Sequence, residues 1–107
     1  MKYTGTMTEL GIEVDQYSFV VGDAVVTKDR LAIDWSENEV AYHAVLKSQD
    51  GTNYNGNFGA TVPKTEWKIQ GKKYTALDKS VVLLLRWTQE DFGRAGWIVV
   101  ELDPISQ

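Results

Sequence analysis

The chain carries one histidine and no cysteine, so the chemistry open to it is narrow. A site with two histidines or a thiolate ligand is excluded, and so is a disulfide framework. His43 follows Asp34 at a spacing that puts both on one face of a pair of strands, and the amides Asn53, Asn55 and Asn57 come after them at alternate positions. A carboxylate that fixes an imidazole tautomer beside amide donors suits proton transfer or the holding of a polar ligand. Asp34, His43 and Asn57 are therefore the candidate polar site. The plainer reading, which the pattern favours, is the wet face of a sheet solvated on one side, with asparagines that discourage aggregation. An enzyme built on Asp34 and His43 ranks last, because one histidine without a neighbouring nucleophile specifies no reaction. The asparagine triplet has calcium-loop spacing, yet Phe58 stands where that loop needs glycine, Lys64 where it needs glutamate, and the set has no carboxylate. No catalytic elbow, phosphate loop, dinucleotide fingerprint or zinc helix occurs, and neither metal nor cofactor is expected.

The second group is aromatic. Four tryptophans, Trp35, Trp67, Trp87 and Trp97, accompany Tyr42, Tyr54 and Phe58. Buried Trp and Tyr carry a polar tip that needs a partner, so several around one cavity grip and orient a small apolar or aromatic molecule. Trp35, Tyr42, Tyr54, Phe58 and Trp87 are the expected ligand-facing set, and Gly56, Gly59 and Ala60 beside them leave room for a cavity. The competing reading is core filling, since an eight-strand barrel is just wide enough to be plugged by its own side chains. Arg86 interrupts the apolar run from Val81 to Trp87. It is expected to snorkel to water or to meet an acidic partner.

These residues need a β scaffold. Val, Ile and Thr supply 26 residues and the aromatics another 12, a strand composition. Apolar residues alternate at Leu31, Ile33, Trp35, then Val40, Tyr42, Ala44, Leu46, then Tyr54, Gly56, Phe58, Ala60, Val62. A two-residue Glu37-Asn38 loop sets Trp35 opposite Val40 and Ile33 opposite Tyr42, and places His43 diagonal to Asp34. A three-residue Gln49-Asp50-Gly51 loop sets Leu46 opposite Tyr54 and His43 opposite Asn57, whereas a one-step slip would bring Asn55 and Asn57 onto the apolar face. Upstream, Val21-Gly22-Asp23-Ala24 reads as a tight turn pairing Phe19 with Val26, and Leu10-Gly11 as a weaker one. Trp67 to Tyr74 reads as a strand broken, or a hairpin turned, at Gly71. The last hairpin, about 80–88 and 96–102, turns through Asp91-Phe92-Gly93-Arg94.

The expected fold is all-β, a single domain over 1–107: an antiparallel up-and-down barrel of about seven or eight strands, with a β-sandwich as the alternative. Its expected core includes Phe19, Ile33, Trp35, Tyr42, Leu46, Phe58, Leu83, Leu85 and Trp87. Eight consecutive antiparallel strands in a chain of this length resemble, in architecture alone, the avidin and lipocalin group of small-ligand barrels. The opening Tyr3-Thr4-Gly5-Thr6 lacks the Gly-x-Trp start many of them carry, so no family follows from it. Eleven Lys and Arg against fifteen Asp and Glu give a net charge of -4, which argues against a nucleic-acid partner. The longest apolar run, Val81 to Leu85, is too short to span a bilayer, no signal peptide is evident, and a cytoplasmic location is the default.

Function then divides between a non-catalytic, carrier-like small-molecule barrel and a protein-interaction or assembly module with a filled core and no ligand. Runs 81–85 and 97–100 are apolar on both faces, as strands buried on both sides are. A homo-oligomer, a dimer joined through Val82, Leu84 and the 97–100 strand, is the expected partner, exposing either Trp97 and Val99 or Ile98 and Val100. The rival is that loop 63–79 folds over this face.

Overall fold

The computed structural model describes residues 2–10 and 17–105. Eight antiparallel strands follow one another around a closed barrel: β1 (Lys2–Leu10), β2 (Tyr17–Val26), β3 (Arg30–Glu37), β4 (Val40–Ser48), β5 (Asn53–Ala60), β6 (Trp67–Thr75), β7 (Val81–Gln89) and β8 (Arg94–Pro104). β8 pairs with β1 from Tyr3↔Pro104 to Leu10↔Trp97, so the sheet has no free edge and the sandwich alternative is overturned. Among the described residues no helix is long and apolar enough to cross a membrane.

Closure needs sharp coiling, and inward-facing glycines permit it. A Cβ on Gly5, Gly56 or Gly71 would overlap the carbonyl oxygen of Glu101, Val45 or Leu84 on the neighbouring strand. Backbones approach there to a distance only glycine allows. The absent side chain of Gly56 thus serves strand approach, and Gly71 lies inside one continuous strand where the sequence suggests a break. Gly22 likewise marks an irregularity, because β2 shifts register on both flanks around it and runs on without the expected turn. The predicted Leu10-Gly11 turn lies outside the described residues.

Both central hairpins pair two residues away from the expected register. β3 and β4 turn through Asn38-Glu39, both at positive φ (50° and 67°), which pairs Trp35 with Tyr42 and Ile33 with Ala44. Positive φ at both loop positions gives the mirror-image turn that matches strand twist, although glutamate seldom adopts it. β4 and β5 pair Leu46 with Gly56 and Ala44 with Phe58. The loop between them is longer than three residues because Asp50 organises it, accepting the N–H groups of Thr52 and Asn53, each at 2.8 Å. A shift of two keeps every side chain on its face.

Ile33, Trp35, Leu46, Phe58, Leu83 and Leu85 are buried as expected, while Phe19, Tyr42 and Trp87 are only partly buried and pack against the core. Tyr3, Met7, Val21, Leu31, Ile69, Val100 and Leu102 add to it. Arg86 points outward and lies over the Trp97 ring at 5.4 Å.

Candidate functional site

The two ends of the barrel differ. One carries the turns at 38–39, 61–66 and 90–93, and here inward-facing side chains leave a cavity of about 170 Å³. Aromatic rings from five strands meet around it: Phe19 on β2, Trp35 on β3, Tyr42 on β4, Phe58 on β5 and Trp87 on β7. Cross-strand pairing explains the first contact, since Trp35 and Tyr42 are direct partners and stack at 5.7 Å with ring planes 13° apart. Phe58 meets Trp87 edge-on at 6.3 Å and Trp67 at 5.5 Å. Trp67 packs on Phe92 and donates from Nε1 to Asp91 Oδ1 at 2.7 Å, which ties the short 3-10 turn Glu90–Phe92 to the rim.

Polar groups complete the cup. Glu9, Glu37, Gln89 and Arg94 line the same cavity. Trp35 Nε1 donates to Glu37 Oε2 at 2.9 Å, which fixes both the indole and the carboxylate. The Glu9 carboxyl is pushed above its ordinary range, first by burial and then by the nearby charge of Glu37. Glu9 and Glu37 are half-buried, whereas Arg94 is exposed. Apolar alternation alone passes over these groups, yet their phase marks them. Glu9 falls in phase with Met7, and Glu37 with Ile33 and Trp35, so both occupy inward positions at strand ends.

Of the five expected ligand residues, Trp35, Tyr42, Phe58 and Trp87 share this cavity and Tyr54 does not. Tyr54 is buried at the opposite end, where its hydroxyl lies 2.9 Å from both the Thr27 and the Lys28 carbonyl oxygens and donates between them. It plugs that end together with Leu31, Leu46, Val81 and Leu102, all nearly inaccessible. Tyr54 and Phe58 lie on one face of one strand but four residues apart, roughly 13 Å along that strand.

The polar candidates lie outside the barrel wall. Asp34 and His43 are direct cross-strand partners, joined from Asp34 Oδ1 to His43 Nδ1, with about half of each side chain exposed. Asn57 pairs with Val45 instead of His43, because the longer Asp50 loop moves the register by two. His43 and Asn57 still border one open groove of about 610 Å³, and Asp34 and His43 border a second of about 570 Å³. Asp34 is the one side-chain hydrogen-bond partner His43 has among the described residues.

The outer surface of β6, β7, β8 and β1 resolves the strand-face question. Trp97 and Val99 point outward while Ile98 and Val100 enter the core. Tyr74, Val82, Leu84, Trp97 and Leu10 are each at least 36% exposed, and residues 67–75 form a barrel strand, so no 63–79 loop covers them. Compared with known proteins, the chain matches no family model and finds no match among curated sequences.

Proposed function

We propose that the protein is a non-catalytic binding barrel that holds a small molecule in its aromatic mouth. The observation that carries this reading is the convergence of Trp35, Tyr42, Phe58 and Trp87 on one cavity at one end, while the rest of the interior is packed. At roughly 30 Å³ per water, 170 Å³ is room for about six waters, a ligand of about six to ten heavy atoms. Small apolar and aromatic molecules fit this lining, which combines flat rings with a few fixed polar tips. Tryptophan emission titrated with a library of such compounds tests it. A saturable shift, lost in Trp87→Ala, is expected; flat traces across the library overturn the reading.

The outer β6–β8 face supports a second property, self-association. Strand registers place Val82, Leu84, Val99 and Trp97 in one patch, with Lys72 and Arg86 on one flank and Glu101 on the other. A two-fold pairing brings the basic flank of one copy onto Glu101 of the other and covers the apolar centre, so a second copy is the occupant this face fits. Sedimentation at tens of micromolar is expected to show a dimer that Leu84→Glu dissociates, since an unpaired carboxylate in such a contact costs several kcal/mol. A strict monomer overturns it.

A further inference from the structure

The mouth carries a sign of charge as well as a shape. Its aromatic walls present π faces, which attract cations placed over them. Trp35 and Tyr42 stack with nearly parallel rings on the side where Glu37 is held by the Trp35 indole. Glu9 shares that cavity, close enough for the two carboxylates to repel each other. Neither takes part in an ion pair among the described residues, where the pairs are His43–Asp34 and Lys68–Glu90. The remaining charged group in the lining, Arg94, is exposed, at the start of β8 opposite Gln89. The cup thus carries two half-buried carboxylates and one exposed guanidinium among its rings.

We propose that the mouth selects a small organic cation, an ammonium group, seated against Trp35 and Tyr42 and facing Glu9 and Glu37; this rests on the binding-barrel reading above. Each feature contributes separately. The rings and the cavity volume limit ligand shape and size, and would admit a neutral aromatic equally well. The two carboxylates impose the charge, because a cation between them relieves their repulsion while an anion adds a third negative group. Acid opposes binding: burial and Glu37 raise the pH at which Glu9 takes up a proton, and a protonated Glu9 no longer attracts the ligand. The charged groups that share the cavity with Glu9 are Glu37 and Arg94, and Glu90 and Asp91 on the adjoining turn are engaged by Lys68 and Trp67.

Three probes of nearly equal size separate the parts: benzylamine, benzyl alcohol and benzoate, titrated into the full chain with tryptophan emission as readout. Benzylamine is expected to bind about tenfold more tightly than benzyl alcohol, with benzoate weakest. The ratio of the first two should fall as pH drops from about 7.5 to about 4, across the carboxylate range, while the amine stays protonated. Glu37→Gln and Glu9→Gln should each bring the ratio toward one, and far-ultraviolet circular dichroism checks that the variants remain folded. Equal binding of amine and alcohol, or a preference for benzoate, overturns cation selectivity but leaves the binding barrel standing. Silence from all three overturns both, and needs no variant to be read.

Discussion

The plugged end and the mouth of this barrel are built from the same inward-facing strand positions, yet they do opposite things with aromatic rings. At the plugged end Tyr54 is 2% exposed, and its hydroxyl is taken up by the carbonyls of the 27–29 loop. Around it Thr27, Ser48, Asp50 and Asp78 tie down the loops through side-chain hydrogen bonds. At the mouth Tyr42 and Trp87 are only partly buried, and carboxylates stand among the rings. An aromatic whose polar tip is satisfied by packed loops stabilises the fold, whereas the partly buried rings of Tyr42 and Trp87 border open space.

The largest effect should come from Tyr54→Ala, which empties the best-packed end. A loss of about 3–5 kcal/mol in urea unfolding is expected, and Trp87→Ala at the mouth should cost clearly less, because its ring is partly solvated already. Equal losses would erase the distinction between the ends. Gly71→Ala comes next. The added Cβ meets the Leu84 carbonyl across the β6–β7 ladder, so about 1–3 kcal/mol should be lost without any change in side-chain burial. A neutral outcome would show that closure does not depend on this approach. Tyr54→Phe removes only the hydroxyl and should cost about 1 kcal/mol, which separates the loop-anchoring role of Tyr54 from its packing.

The smallest effects sharpen the contrast through pH. Hydrogen bonds, chiefly from the Asn53 side chain and then from the Asn53 and Thr52 N–H groups, hold Asp50 far below its ordinary 3.8. Its folded value is depressed, so its contribution is present above pH 3.8 and is lost as pH falls toward the folded value. Glu9 runs the other way. Its folded value is raised above 4.5, so the cost of ionising it is complete above that raised value and vanishes below 4.5. Thermal unfolding should therefore show Asp50→Asn lowering Tm at neutral pH, with the deficit shrinking in acid. Glu9→Gln should raise Tm at neutral pH and make little difference near pH 4. A Tm rise from Glu9→Gln that persists unchanged at low pH would mean that burial of charge is not its cause.

Much of the barrel is legible in the residues because face and period are local properties. Alternation at 31–35, 40–46 and 54–62 assigns Leu31, Ile33, Trp35, Leu46 and Phe58 to the interior, and a register moved by two leaves that assignment intact. Turn position is less legible. Asn38-Glu39 and the Asp50 loop were selected by strand twist and by side-chain bonds that act only once the strands are paired. The Asp34–His43 pair is readable as a neighbourhood, and the two-residue shift turns a diagonal into a direct contact while parting His43 from Asn57.

By itself, then, the sequence determined the all-β character, the meander order and which side chains of 31–35, 40–46 and 54–58 face inward, since face follows from the pleat repeating every two residues along one strand. Only the tertiary structure decided closure of β1 on β8, the outward choice of Trp97 and Val99, and depth along the barrel axis. Depth is what separates Tyr54 from Phe58 and what brings Glu9, Glu37 and Arg94, from three different strands, to one rim. A period reports a face but not a height. Height is set by the stagger between paired strands, accumulated around the barrel until the last strand meets the first.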